Sequence, residues 1–381
     1  MKNRISILLL IIFHLSFLTF NLFAQEFSFA AMSDSRGKYN GVNEPILSAL
    51  TEHLITNQTE VDFLFFMGDL VDGSDIYPDS TLAELKYWKK VMSSVYNNSN
   101  MVWPYIWPVI GNHEAQHPKD AINFRSLFND VFMNGPEDEM GLTYSFDYKN
   151  VHFVCINSER WYYGDPEDTT DDRRDWHYVK NLDWLINDLE KARARNVNFI
   201  FVFSHDVPFP IGGHLHDGLP NLGEDFILPI DSTKQWYVDQ RDKFRQILVD
   251  FKVSAYLCGH EHIYGRQAIG GVYQIVVGSS GVPLYEFNPT YNAQPDSIMP
   301  YGEMSYNDAV PYYKVLKYNY GPGKNSQHSK DFFGLRAFQY ITFHVKEDLI
   351  HVQTFGAYPR ENTDDEMEGE IGLIDEFIID K

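Results

Sequence analysis

Cysteine is almost missing from this chain: its 381 residues include two, Cys155 and Cys258. Each lies inside an apolar, strand-like run, so the pair reads as two buried thiols. A disulfide between them is permitted outside the cytosol, but nothing in the sequence brings them together. Positive charge is scarce too, with 31 Lys and Arg against 53 Asp and Glu and a net charge of −22. That balance opposes non-specific attraction to DNA or anionic lipid, so no specific nucleic acid is expected as a partner. Small anionic ligands stay open, because bound cations can invert a local field. Beyond the first two dozen residues no apolar run is long enough to span a bilayer, so the mature chain is expected to have no membrane span. Internal repeats are lacking as well.

What is present begins with a leader. Lys2 and Arg4 precede an apolar stretch from Ile5 to Phe20, and Leu22-Phe23-Ala24 offers a small-residue cleavage site. This is the pattern of a secretory signal over residues 1–24, with cleavage near Ala24 and a secreted or periplasmic mature protein. No Cys lies near the site, which argues against a lipid-modified N-terminus. The remainder, with 44% hydrophobic residues, suits a packed globular domain.

Apolar runs alternate with helical patterns along residues 25–360. Phe27–Met32, Val61–Met67, Ile106–Ile110, Leu142–Tyr148, Val151–Ile156, Phe199–Phe203, Val253–Cys258 and Val272–Val277 read as strands. Ala337–Val345 and Leu349–Phe355 form a late antiparallel pair. Helices are expected over 41–57, 80–97, 119–130, 174–195 and 234–251. The fold class is therefore mixed α/β. Residues 284–334, rich in Tyr, Asn, Pro and Gly, form an irregular insertion, either a surface excursion or a loop that caps a substrate. Residues 361–381, with Asp364, Asp365, Glu366, Glu368 and Glu370, read as an acidic C-terminal tail.

The chemistry lies at the C-terminal ends of five of the apolar runs. Phe27–Met32 ends in Ser33-Asp34-Ser35-Arg36, and Val61–Met67 in Gly68-Asp69-Leu70-Val71-Asp72. Ile106–Ile110 ends in Gly111-Asn112-His113-Glu114, Phe199–Phe203 in Ser204-His205, and Val253–Cys258 in Gly259-His260-Glu261-His262. Each run thus delivers metal-capable side chains at the strand end where open α/β sheets place ligands. Glycine precedes the key residue in three of them, which suits a tight turn with close backbone approach. One such motif is a weak signal. Five in this order are a strong one.

These motifs resemble the calcineurin-like metallophosphoesterase superfamily, whose pattern runs D-x-H, GD, GNH[D/E], a lone His and GHxH. The likeness covers about 26–281, including Leu182-Asp183-Trp184-Leu185 before His205 and Gly278-Ser279-Ser280-Gly281 after the last motif. It implies a β-sandwich of mixed sheets flanked by helices, with two metal ions at one end. By that resemblance Asp69 bridges both ions, Asp34 and His262 bind the first, and Asn112, His205 and His260 bind the second. His113 stands beside the substrate as the catalytic histidine. The implied function is a secreted metal-dependent hydrolase of phosphomonoesters or phosphodiesters. In it a metal-bridging hydroxide attacks phosphorus and His113 assists the leaving group. Two cations roughly 3.5–4 Å apart neutralise phosphoryl oxygens and acidify the water between them. Oxygen and nitrogen donors without thiolate suit Mn, Fe or Zn and do not choose among them. The expected partner is a small phosphorylated substrate. The alternative is a non-catalytic or very narrow-specificity binding protein that retains the fold; a purely structural metal protein leaves His113 unexplained.

Several positions carry more than one reading. Asp72 either accepts a hydrogen bond from His113 and fixes its tautomer, or caps a turn before Gly73. Glu114 is either support for the ligands or a local hydrogen bond. His214 and His216 either touch substrate or are exposed loop residues. The departure from the pattern is Arg36, where the common motif has a metal-binding His. Arg keeps its proton and cannot ligate a metal. Arg36 is expected either to clamp a substrate phosphate, or to leave a weak first metal completed by water, or to leave Asp72 to join that metal.

Overall fold

The computed structural model describes residues 26–74, 76–159, 179–211, 230–285 and 332–381 of the chain. The expected leader, His214, His216 and most of 284–334 lie outside these residues. Two sheets face one another. The first holds β1 (Phe27–Met32), β2 (Val61–Met67), β3 (Ile106–Val109), β11 (Phe338–Val345), β12 (Leu349–Pro359) and β13 (Met367–Asp380), in the order β13-β12-β11-β1-β2-β3. The second holds β4 (Tyr144–Tyr148), β5 (Val151–Cys155), β6 (Phe199–Phe203), β7 (Ala255–Cys258), β8 (Tyr264–Ile269), β9 (Val272–Val277) and β10 (Phe332–Leu335), in the order β10-β8-β9-β7-β6-β5-β4. Both are mixed: β1, β2 and β3 run parallel, as do β5, β6, β7 and β9, and the outer strands are antiparallel.

The central strands read as unbroken apolar runs because both of their faces are buried. Alternate residues serve different layers. Phe29, Phe63, Phe65, Phe201, Phe203, Leu257, Ile275 and Phe343 fill the space between the sheets. Phe65 of the first sheet stacks on Phe203 of the second with ring centres 3.8 Å apart, an aromatic contact that adds to simple area burial. The opposite faces pack on helices. Ala30, Met32, Leu64 and Phe66 meet the layer of α1 (Glu44–Asn57), α2 (Pro78–Val91), α3 (Ser93–Tyr96) and α4 (Pro118–Leu127). Val154, Ile200, Val202 and Tyr256 meet α5 (Leu182–Ala194) and α6 (Ile230–Asp250). α1 buries Ile46, Leu47, Leu50 and Leu54, the one-sided spacing of an amphipathic helix. Among the described residues no helix is long and apolar enough to cross a membrane.

The expected acidic tail is corrected here. Residues 367–380 form β13, which pairs along its length with β12. Most of its acids point to solvent, but Asp375 is buried, with its Oδ2 accepting from Arg266 Nε at 2.7 Å and from the Tyr264 hydroxyl at 2.6 Å. Strand pairing and this buried ion pair hold a segment that its charge alone assigns to solvent. The cysteines are both free and buried, on β5 and β7 with β6 between them. Burial pushes the Cys155 thiol up to about 12, so it is inert at neutral pH.

Candidate active site

Parallel pairing of β1–β2–β3 and of β6–β7 brings the C-terminal ends of all five motif-bearing strands to one end of the sandwich. The chain leaves three of them through an uncommon backbone shape. Asp34, Asp69 and His260 adopt φ of 57°, 49° and 67°, a left-handed region that non-glycine residues seldom enter and that persists only where the surroundings enforce it. The neighbouring glycines are explained by space. A Cβ on Gly111 would collide with the backbone nitrogen and carboxylate of Asp69, and one on Gly259 with Ser33 Oγ and the Asp34 carboxylate.

The side chains then converge. His205 Nδ1 donates to the Met67 carbonyl at 2.7 Å, which leaves the lone pair of the neutral ring on Nε2. That nitrogen faces Asn112 Oδ1 at 3.0 Å and Asp69 Oδ1 at 3.2 Å. His260 Nδ1 stands 3.1 Å from the same Asn112 oxygen and 3.3 Å from His205 Nε2. Acceptors this close repel unless a proton or a cation lies among them, so Asp69, Asn112, His205 and His260 fit a metal ion. Ligand atoms of Asp34, Asp69 and His205 also lie within 4.8 Å of one another. Burial pushes the Asp34 carboxyl up to about 6, with the neighbouring His205 opposing and the Asp69 carboxylate adding to the effect. Burial acts the same way on Asp69, but its attraction to His113, His205, Arg36 and His260 outweighs it and holds this carboxyl well below its usual range. Asp69 is therefore an anion facing the centre.

The position expected for the first metal is different. His262 Nδ1 donates to the Pro283 carbonyl at 2.9 Å, so its Nε2 lone pair points inward. There it meets Arg36 Nη2 at 3.2 Å, while Arg36 Nε stands 3.4 Å from Asp69 Oδ2. Burial, reinforced by the Arg36 charge, holds the His262 ring well below its usual range and hence neutral. Asp34 is 4.0 Å from His262 Nε2 and accepts from Ser33 Oγ and the His260 amide. A metal bound through His262 does not fit this arrangement.

His113 lies at the mouth, its amide donating to Asp69 Oδ1 at 3.1 Å. Its Nδ1 donates to the backbone carbonyl of Asp72 at 2.5 Å. This corrects the expectation that the Asp72 carboxylate is the acceptor: that group is 3.9 Å away and half exposed, because the turn after β2 aims the carbonyl at the ring. The tautomer is fixed all the same, and Nε2 faces the centre, 3.8 Å from Asp69 Oδ2. Beneath the ligands, buried Glu114 accepts from the Val71 amide and the Gly111 amide, each at 2.9 Å, which ties the turns after β2 and β3 together. Sequence reading missed Ser33, signalled only by its place next to Asp34, and Tyr285, whose ring stacks on His262 at 4.1 Å.

A two-sheet sandwich with this donor set at the carboxyl ends of parallel strands defines a metallophosphoesterase-type fold. The sequence profile of the calcineurin-like phosphoesterases matches residues 27–264, and the chain belongs to that family. Among solved structures it is similar to purple acid phosphatase PPD1 from yellow lupin (Lupinus luteus) seeds. That match has 13% identity and a TM-score of 0.56, and covers 94% of this chain and 54% of the lupin protein. The chain thus spans about half the length of that enzyme. It is also similar to PhoD (12% identity, TM-score 0.55, 93% of this chain and 70% of that one). A third likeness is to a dimetal phosphatase from Danio rerio (13%, 0.53, 93% and 98%). At such identities the likeness is one of fold. No curated protein matches the chain.

Proposed function

We propose that this protein is a metal-dependent phosphoesterase that hydrolyses a small phosphorylated substrate outside the cytosol. The observation that carries the reading is the meeting of acceptors from five strand ends with a tautomer-fixed His113 beside them. Asp69, Asn112, His205 and His260 would hold a cation, which supplies Lewis acidity toward a phosphoryl oxygen and lowers the pKa of water. His113, locked by the Asp72 carbonyl, presents Nε2 to the same space. Protonated there, it donates to the departing oxygen of the ester. Arg36 adds a permanent positive charge beside Asp69 and His262 and favours an anionic ligand. The acidic net charge makes a small phosphoester a better candidate than a polyanion.

The test is hydrolysis of a chromogenic aryl phosphomonoester and the matching diester by the mature protein, stripped with chelator and resupplied with Mn, Fe or Zn. Stripping is expected to abolish turnover and resupply to restore it, with the preferred ester narrowing the substrate class. Absence of metal-dependent turnover on both esters would move the assignment to a binding protein that keeps the fold.

A further inference from the structure

The guanidinium of Arg36 stands against two of the side chains that the resemblance assigns to a first metal. Nη2 stands against the inward lone pair of His262, Nε against Asp69 Oδ2, and Nη1 is 3.6 Å from Asp72 Oδ1. These contacts cover two of the three groups expected to ligate a first ion, Asp69 and His262. The His262 lone pair cannot serve an N–H donor and a metal at once. A guanidinium is always charged, planar and weakly hydrated, so it can rest in such a spot as a fixed cation. Arg36 Nε is itself buried and makes no hydrogen bond among the described residues; it faces Asp69 at ion-pair distance, without hydrogen-bond geometry.

We infer that Arg36 replaces the first metal, so that the centre takes one ion, at Asp69, Asn112, His205 and His260, and draws its second positive charge from the chain itself. This rests on the phosphoesterase reading only for what the charge is for; the stoichiometry stands apart from it. The two residues that remain, Asp34 and His262, then act through hydrogen bonds. Asp34 holds the His260 amide in its left-handed turn, and His262 holds the guanidinium. A centre with a guanidinium in one position carries one charge fewer than a pair of divalent ions. Its inner charge therefore cannot be removed by chelation.

The experiment is metal counting, which needs no turnover. Stripped wild-type protein is titrated with Mn(II) and bound ion per chain is read by calorimetry and elemental analysis. The spin resonance spectrum of the loaded protein is recorded beside that of Arg36→His. One ion per chain with an uncoupled Mn(II) spectrum is expected for the wild type. Two ions with a spin-coupled spectrum are expected for Arg36→His, which restores the missing imidazole. Two ions of similar affinity in the wild type would overturn the inference without any variant. One ion in both proteins, with Arg36→His folded by its melting curve, would overturn the role given to Arg36. A failed esterase assay beside the expected counts would instead strike only the catalytic reading.

Discussion

His113→Ala is expected to lower kcat on phosphoesters by roughly 10²–10⁴, the usual worth of a positioned acid–base group, while metal content stays at the wild-type level. The split follows from geometry. The imidazole makes none of the close acceptor contacts of the cation position; it reaches the centre from the mouth, with Nε2 3.8 Å from Asp69 Oδ2. What the substitution removes is a proton donor whose tautomer is set by a backbone carbonyl. The main-chain amide that donates to Asp69 survives in the variant. Asp72→Asn is a matched control. It keeps the carbonyl and removes only a half-exposed carboxylate 3.9 Å from the ring, so its effect on kcat should be far smaller. Single-turnover rates of the two variants with an activated aryl ester and a poorer leaving group separate the roles: the loss in His113→Ala should grow as the leaving group becomes more basic. Equal losses in both variants would return the orienting role to the Asp72 side chain.

Glu114→Ala should weaken metal binding by about 10–100-fold, the range seen when a group that orients ligands is lost. It should also lower the melting temperature, although Glu114 faces no substrate. Its two oxygens take up the amides of Val71 and Gly111 in a place without water access. Each buried amide left without an acceptor costs about 1–3 kcal/mol. The same cut leaves the turn that carries Asp69 tied to the turn that carries Asn112 and His113 through the His113 amide but without the buried carboxylate between them. Burial and then the Asp69 charge drive the Glu114 carboxyl well above its usual range, so its hold comes from hydrogen bonds more than from charge. Glu114→Gln, which keeps one acceptor oxygen, should fall between the two. Calorimetric metal titration and thermal melts check both; an unchanged metal affinity in Glu114→Ala would show that the turns hold themselves.

The central architecture was legible because the strands that build it are buried on both faces. Phe27–Met32, Val61–Met67, Phe199–Phe203 and Val272–Val277 appear in the structure with the bounds the apolar runs give. The site came from the same signal, since each run ends where its motif begins. The late antiparallel pair also appears, as Phe338–Val345 and Leu349–Pro359, but two other outer strands were not legible. Tyr264–Ile269 carries Arg266 and Gln267 inward, toward Asp375 and the Phe209 carbonyl, so its polarity hides its burial. Met367–Asp380 is spoken for by glutamates and glycines and owes its form to a partner strand. The acceptor for His113 was also out of reach, because a main-chain carbonyl leaves no trace in residue identity. Arg36 was visible as an anomaly. Its meeting with His262, 226 residues further along, needed coordinates.

The strand Met367–Asp380 cannot be trimmed away without cost. A protein cut after Arg360 would shed what looks in sequence like a loose acidic appendix. In doing so it would remove the acid that neutralises a buried arginine of the opposite sheet, a loss on the scale of about 3–5 kcal/mol. It would also lay bare the full hydrogen-bonding rim of Leu349–Pro359, now screened by a strand studded with Glu368, Glu370 and Glu376. An uncovered rim of that length invites other chains to add themselves. Among the described residues β13 is the edge of its sheet, and its outward carboxylates make that edge a repellent border to further pairing.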